Sequence, residues 1–531
     1  MEYALLQAVF LPLLLAPVAY IIGKKAGPTP ATWFTFGLLL YCTFLIITVA
    51  LSGTYEEHYT WTKLFGEFGF KLDGLAIPFA VIIYVLSTIL ALYSQPYMIH
   101  KFKEFYEEQL HHSSESGADH SSESGAGQST ALVESSAMTS YVNTKSGLYF
   151  ALYLVFAMGM LGTVLATNLI EFYIFFEIML IPAFFLVAFW GDGPRRRISL
   201  MFLFWTHAGA VVLLLGFLTI GLNVGSFDFT AIQESKIPSS VITLAAVAII
   251  IGLGVKLAAF VFHIWLPYVH GAAPTPISAL LSPAMIGIGA YGIFRLIIEF
   301  LPNQYAEMAI WLHIWGLVTM IYGGAMALMQ DDMKRLLAYS SVSQMGYILF
   351  GIGSYSTLGL AGAEMMYVTH GLGKALLFMT AGILIVQVGS RSMSKLGGLA
   401  GKMPITAVCA VIGALTIVGV PPTSGFMGEW TLFYGALETA IKDNAATGSV
   451  LRFVTFGLGL VATVITMSYM LWMLKRVFFG KLPENLSHVK EASWYMTAPM
   501  MVIAGFTIVV GIYPDIFFND IIPYMKGVLG A

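Results

Sequence analysis

The chain has 531 residues, of which 58% are hydrophobic and 10% charged, and its mean hydropathy is +0.81. Soluble domains carry roughly 25% charged residues, so the composition excludes a soluble domain and marks an integral membrane protein. A net charge of −3 excludes a basic nucleic-acid surface, and two cysteines, Cys42 and Cys409, exclude an iron–sulfur cluster held by four thiolates of this chain.

A spanning helix needs about 20 apolar residues. Fourteen such segments are expected, near 4–22, 31–51, 75–97, 148–168, 169–190, 199–221, 241–266, 276–299, 308–329, 335–353, 359–387, 406–438, 452–474 and 496–516. The runs are continuous rather than alternating, which excludes a barrel, and lipid leaves helices as the remaining solution. The predicted fold is thus an all-α polytopic membrane protein, one membrane domain over 1–531. The opening run has no basic stretch before it and reads as a retained helix rather than a signal peptide. Lys24, Lys25, Lys101, Lys103, Arg195, Arg196, Arg197, Lys334 and Arg335 fall on loops of one side. By the positive-inside rule, that side is the inner one, and both termini of a multi-pass cell-membrane protein lie outside.

Between the third and fourth segments the heptapeptide HSSESGA occurs at 112–118 and again at 120–126. A polar insert over 104–140 is therefore expected, too poor in apolar residues to bury a core and so disordered. His112 and His120 could bind a stray metal ion, but a solvated loop on the inner side accounts for them.

Four charges lie inside apolar runs: Glu177, Lys256, Lys374 and Glu429. A charge at the bilayer centre costs about 2.5–3.5 kcal/mol on insertion scales, so each is a functional candidate. Glu177 sits in FFEIMLIP. Lys256 follows Gly252 and Gly254, with His263 seven residues on and Pro267, Pro274 and Pro276 beyond. Glu429 follows Gly419, Pro421, Pro422 and Gly425 in a helix interrupted at mid-membrane, the usual sign of an ion pathway. His370 and Lys374 share one helix face. The six read as a proton relay in which Glu177 adjusts Lys256, His263, His370 and Lys374 continue the line, and Glu429 ends it. Lys374 could instead hold a backbone carbonyl. His263 and His370 could be packing histidines, as His207 and His313 are expected to be. His270, near the inner surface, could be either. Asp331, Asp332, Lys334 and Arg335 are expected in a solvated loop, and Asp73 as a helix cap.

The stretches FHIWLPYVHGAAPTPISALL, DDMKRLLAYSSVSQMGYILFGI, THGLGKALLFMTAGIL and GVPPTSGFMGEW resemble the signatures of the antiporter-like subunits of respiratory complex I, a family that also holds multi-subunit sodium/proton antiporter and membrane-bound hydrogenase subunits. The chain is most similar to its M-type (NuoM-like) branch, because a glutamate, Glu429, stands in the broken twelfth helix and no long lateral helix follows the fourteenth. The resemblance implies two inverted five-helix repeats, 148–299 and 308–474, with the seventh and twelfth helices broken. It maps the family's fifth-helix glutamate onto Glu177, its seventh-helix lysine onto Lys256 and its exit residue onto Glu429. Where the M-type carries an eighth-helix lysine, this chain has Gly287, and Tyr268 replaces an acid. The implied function is proton translocation in the membrane arm of an NAD(P)H-, F420H2- or ferredoxin:quinone-type oxidoreductase. Flavin, iron–sulfur clusters and quinone are expected in partner subunits and no cofactor or metal in this chain. Its partners would be protons, lipid and the L-type and N-type homologues, with no nucleic acid. The alternatives are a cation/proton antiporter subunit, a membrane-bound hydrogenase subunit, or a structural scaffold.

Overall fold

The computed structural model describes residues 2–62, 65–116, 127–235 and 239–530. Helices α1 (Ala4–Ala26) and α2 (Pro28–Leu51) are joined by Gly27 alone, whose φ of 96° makes the reversal. Strands β1 (Tyr55–Thr62) and β2 (Gly66–Leu72) form an antiparallel hairpin at this end of the molecule, an element absent from the all-α expectation. The hairpin is fastened from both sides. Glu57 of β1 accepts bonds from the backbone N–H groups of Leu5 and Leu6, 3.0 and 2.9 Å, at the start of α1. Asn168 donates to Phe65 O at 2.6 Å.

Helices α3 (Ala76–Ser116) and α4 (Gly127–Leu165) follow. Both run deep into the polar insert expected as a disordered loop over 104–140, which corrects that reading for the flanks. The flanks are helical because aromatic and charged contacts continue past the apolar run. Tyr106 of α3 packs on Tyr141 of α4 at 5.3 Å, and Lys101 and Arg195 both lie over Phe105. Residues 117–126, with His120 and the whole of the second heptapeptide, lie outside the described residues, as does the side chain of His112.

Helices α5 (Leu169–Ile178) and α6 (Leu180–Trp190) are one span interrupted at Met179. Pro182 has no N–H to give to the carbonyl four residues back, and this breaks the ladder at Ile178. Helix α7 (Arg195–Val224), the short α8 (Phe229–Glu234), α9 (Ser239–Lys256) and α10 (Trp265–Ala272) come next, with residues 257–264 non-helical between the last two. The following span is α11 (Thr275–Leu280), α12 (Ile288–Gly292) and two π-helical segments, Leu281–Met285 and Ile293–Glu299. It is wholly enclosed by the rest of the chain. Then come α13 (Pro302–Leu328), α14 (Met333–Ile352), α15 (Thr357–Val388), α16 (Pro404–Val418), α17 (Ser424–Thr447), α18 (Leu451–Phe478) and α19 (Trp494–Ile512). Among the described residues eleven spans are long and apolar enough to cross a membrane, and α9 and α16 belong to shorter apolar helices. A closing helix, α20 (Asp515–Leu529), buries Phe517, Phe518, Ile521 and Met525 on one face, the stripe of an amphipathic helix lying on its neighbours. It was not among the expected segments.

Helix α15 lies at the centre and is buried without interruption from Gly359 to Leu384. Around it pack α3, α11, α14, α16, α17, α19 and α20. The two ends of the bundle differ. The hairpin end carries 225–235 and the starts of α3, α13 and α15. The opposite end carries 191–194, 272–274, 329–332 and 389–403.

Candidate functional site

Glu177 ends the last turn before the break at Met179. Its Oε2 meets Nδ1 of His207 on α7 at 2.9 Å, while Oε1 is buried without a hydrogen-bond partner. His207, expected to be a packing residue, is therefore part of the site, and about half of its side chain is exposed. The relevant signal, a histidine in an apolar run, was present in the sequence, but its pairing was not.

Lys256 is the final residue of α9 and is 2% exposed. Its ammonium lies 4.7 Å from the centroid of Phe176. Among the described residues no ion pair joins it directly to Glu177, yet Glu177 is the charged group within electrostatic reach of it. Glu177 thus pairs with His207 while remaining within electrostatic reach of Lys256. The non-helical stretch beyond Lys256 is held by side chains that replace the lost ladder. Trp265, Trp205 and Trp315 donate indole N–H bonds to the carbonyls of Val255, Phe262 and Phe260 at 2.9, 3.0 and 3.0 Å. Buried backbone polar groups require such partners. His263 sits in the same stretch, with Nε2 3.2 Å from the Tyr322 hydroxyl and Nδ1 unpartnered.

Helix α15 carries His370 and Lys374. His370 Nε2 lies 3.3 Å from Ser282 O. Lys374 is fully buried and donates to Leu337 O at 3.1 Å and to the Ser340 hydroxyl, both on α14. It holds a carbonyl, as the structural alternative has it, and it also acts electrostatically on His370 and on His270 of α10. His270 is buried with both ring nitrogens unpartnered. Beyond it, at the bundle end opposite the hairpin, Lys334 donates to Ala273 O at 2.5 Å. Lys334 is buried, not in a solvated loop. Asp192 there binds Lys101 at 2.6 Å and Arg391 at 3.4 Å. Burial pushes the Asp192 carboxyl up, but Lys334, Lys101 and Arg391 outweigh it and hold it below the usual carboxylate range.

Glu429 stands apart from these groups. It lies one turn into α17, past the Gly419–Thr423 break, and Oε1 has no partner. Gly419 has φ 74°, and a Cβ there would strike the Glu429 carboxylate, so only glycine lets the acid fold back over the break. The acid borders a cavity of about 390 Å³ walled by Phe426, Trp430, Phe433 and Tyr434.

His313 is a structural histidine as expected: it bonds Phe350 O at 2.8 Å and Thr455 Oγ1 at 3.1 Å. Asp73 caps α3 through Ala76 N at 3.0 Å, and it also grips Arg295 with both oxygens, at 2.7 and 2.9 Å. Burial raises the Asp73 carboxyl, and Arg295 and Lys71 outweigh that and hold it low. Besides Glu57 of the hairpin, two buried acids of the spans escaped the sequence reading, Glu171 and Glu364. Both are carboxylates in apolar runs, the same signal that picked out Glu177. They were passed over because they stand near the ends of their segments.

A family model described as "NADH:quinone oxidoreductase/Mrp antiporter, TM" matches residues 166–443, which hold all six proposed relay residues. The chain belongs to this family. It is 30% identical over 535 residues to an NAD(P)H-quinone oxidoreductase chain 4 of Trichormus variabilis, covering 97% of this chain and 89% of that one. It is 34% identical over 385 residues to the F(420)H(2) dehydrogenase subunit M of Methanosarcina mazei, covering 69% of this chain and 74% of that one. Its fold is shared with a chain of respiratory complex I from Thermus thermophilus, with a TM-score of 0.81, 22% identity and 99% coverage of both.

Proposed function

We propose that this member of the family is an M-type subunit that moves protons across the cell membrane in the membrane arm of a complex I-like quinone oxidoreductase. The electron-carrying centres would belong to other subunits, and L-type and N-type homologues would sit beside this chain in the membrane arm. The supporting observation is the placement of Lys256. A desolvated lysine at a helix break, next to a carboxylate that also binds His207, is a proton-holding group with an adjustable neighbour. When Glu177 turns to Lys256, the ammonium is stabilised; when it turns to His207, the lysine loses that support and releases its proton. Released protons pass towards Lys374 and His370, and Glu429 offers one way out. The hairpin end is the outer face, and both termini lie there. The basic loops at the opposite end support this orientation.

The test uses the intact complex purified from its own membranes and reconstituted into vesicles. Glu177→Gln and Lys256→Ala are each expected to cut proton uptake per electron transferred by tenfold or more while assembly persists. Wild-type pumping in both variants would discard the relay. The family name also covers Mrp antiporters, and the subunits co-purifying with the chain separate the two readings: redox subunits support the oxidoreductase, small antiporter subunits alone the antiporter.

A further inference from the structure

Helix α15 carries two polar groups that this relay leaves unused. Glu364 is fully buried, and neither carboxyl oxygen has a hydrogen-bond partner. Tyr367, three residues on, is fully buried with an unpartnered hydroxyl. His370 Nδ1 and both nitrogens of His270 continue the series towards the opposite end. Buried polar atoms are nearly always satisfied by protein or water, so a file of them along one central helix marks a path that water can occupy. With 1.5 Å of rise per residue, Lys374 and Glu364 are about 15 Å apart along the axis. One transfer cannot cross that distance, but His370 and Tyr367 divide it into axial steps of about 4.5–6 Å, each of a length that one water bridges.

The hairpin end of the file is charged. Asp73, Arg295 and Asp520 are within electrostatic reach of Glu364. Arg295 is buried; besides Asp73 it binds Glu299 at 2.7 Å and the Tyr524 hydroxyl at 2.8 Å. Arg295 and Glu299 in turn border a cavity of about 300 Å³ under the hairpin, with Glu56, His58, Glu67 and Lys71 on its wall. The cavity beside Glu429, by contrast, is walled mainly by rings.

We infer that Glu364 and Tyr367 form a central proton outlet, leading from Lys374 and His370 to the Asp73–Arg295–Glu299 cluster and the polar cavity at the hairpin end. The inference rests on the proton-transfer reading above. In each passage the Lys374 ammonium gives a proton through His370. The Tyr367 hydroxyl accepts one and donates its own to the Glu364 carboxylate. The resulting carboxylic acid returns the proton to water on the Asp73 side. No electron moves, and Lys374 is reloaded by the proton that Lys256 releases.

The experiment compares Glu364→Gln, Glu364→Asp, Tyr367→Phe and Lys256→Ala in the reconstituted complex. Glu364→Gln is expected to halve pumping or worse at unchanged assembly, and Asp to restore most of it. Tyr367→Phe should slow pumping several-fold. Infrared difference spectra should lose a carboxyl band in the Gln variant and shift it in the Asp variant. If Glu364→Gln pumps like wild type while Lys256→Ala does not, the outlet is wrong and the relay stands. If Lys256→Ala also pumps like wild type, the relay itself falls. Should Glu364→Gln fail to assemble, Tyr367→Phe decides, and wild-type pumping there overturns the outlet.

Discussion

Gly287 and Tyr367 divide between them the space where the family resemblance leads one to expect a lysine. A Cβ at 287 would run into the Tyr367 ring, and that ring is pinned by Phe79 at 4.0 Å. The missing lysine is thus no gap in the packing: an aromatic from another helix fills it and brings a hydroxyl in place of an ammonium. Gly287→Ala should therefore overpack the core and cost about 1–3 kcal/mol, read as a lowered thermal midpoint of the purified complex. From the sequence, Gly287 was legible as a departure. Tyr367 was not legible as the residue that fills it, because 80 residues of chain separate them. Lys256, Lys374, Glu177 and Glu429 were legible for the opposite reason: a charge in an apolar run is a local fact.

At the scale of elements, the breaks were readable and their repair was not. Pro182, the glycines before Lys256 and the Pro421–Pro422 pair announce interrupted helices through backbone chemistry alone. Which groups satisfy the freed carbonyls depends on packing. Trp205, Trp265 and Trp315 come from three different helical elements to hold the stretch between α9 and α10. Trp265→Phe keeps an aromatic ring against Phe202 but leaves the Val255 carbonyl, one residue before Lys256, with the Ala258 N–H at 3.2 Å as its remaining donor. The expected cost is about 0.5–1.5 kcal/mol, with a fall in pumping larger than the fall in assembled complex, since the loosened carbonyl adjoins the lysine. The measurement is proton uptake normalised to complex recovered. The hairpin and α20 were missed because their stripes are short and depend on a neighbour to cover them.

For the whole molecule, the end opposite the hairpin is clamped by Asp192, which joins α3 through Lys101 and the 389–403 segment through Arg391. Its carboxyl is held low in the folded protein, so it adds stability wherever the unfolded carboxylate, near pH 4, is already ionised. That contribution is lost as pH falls through the folded value. Asp192→Asn is expected to lower the thermal midpoint of the complex at pH 7, and the difference from wild type to shrink steadily below about pH 4. A pH-independent difference would mean that the clamp is not electrostatic. Composition and hydropathy alone were enough to establish a helical membrane protein, its buried charges and its broken spans, because the cost of burying charge and the geometry of proline act within a few residues. The pairing of Glu177 with His207, the ring over Gly287, the clamp at Asp192 and the place of Glu364 within electrostatic reach of Asp73 and Arg295 emerged only in three dimensions. Each joins helices remote in sequence, and no local pattern encodes which faces of a bundle come together.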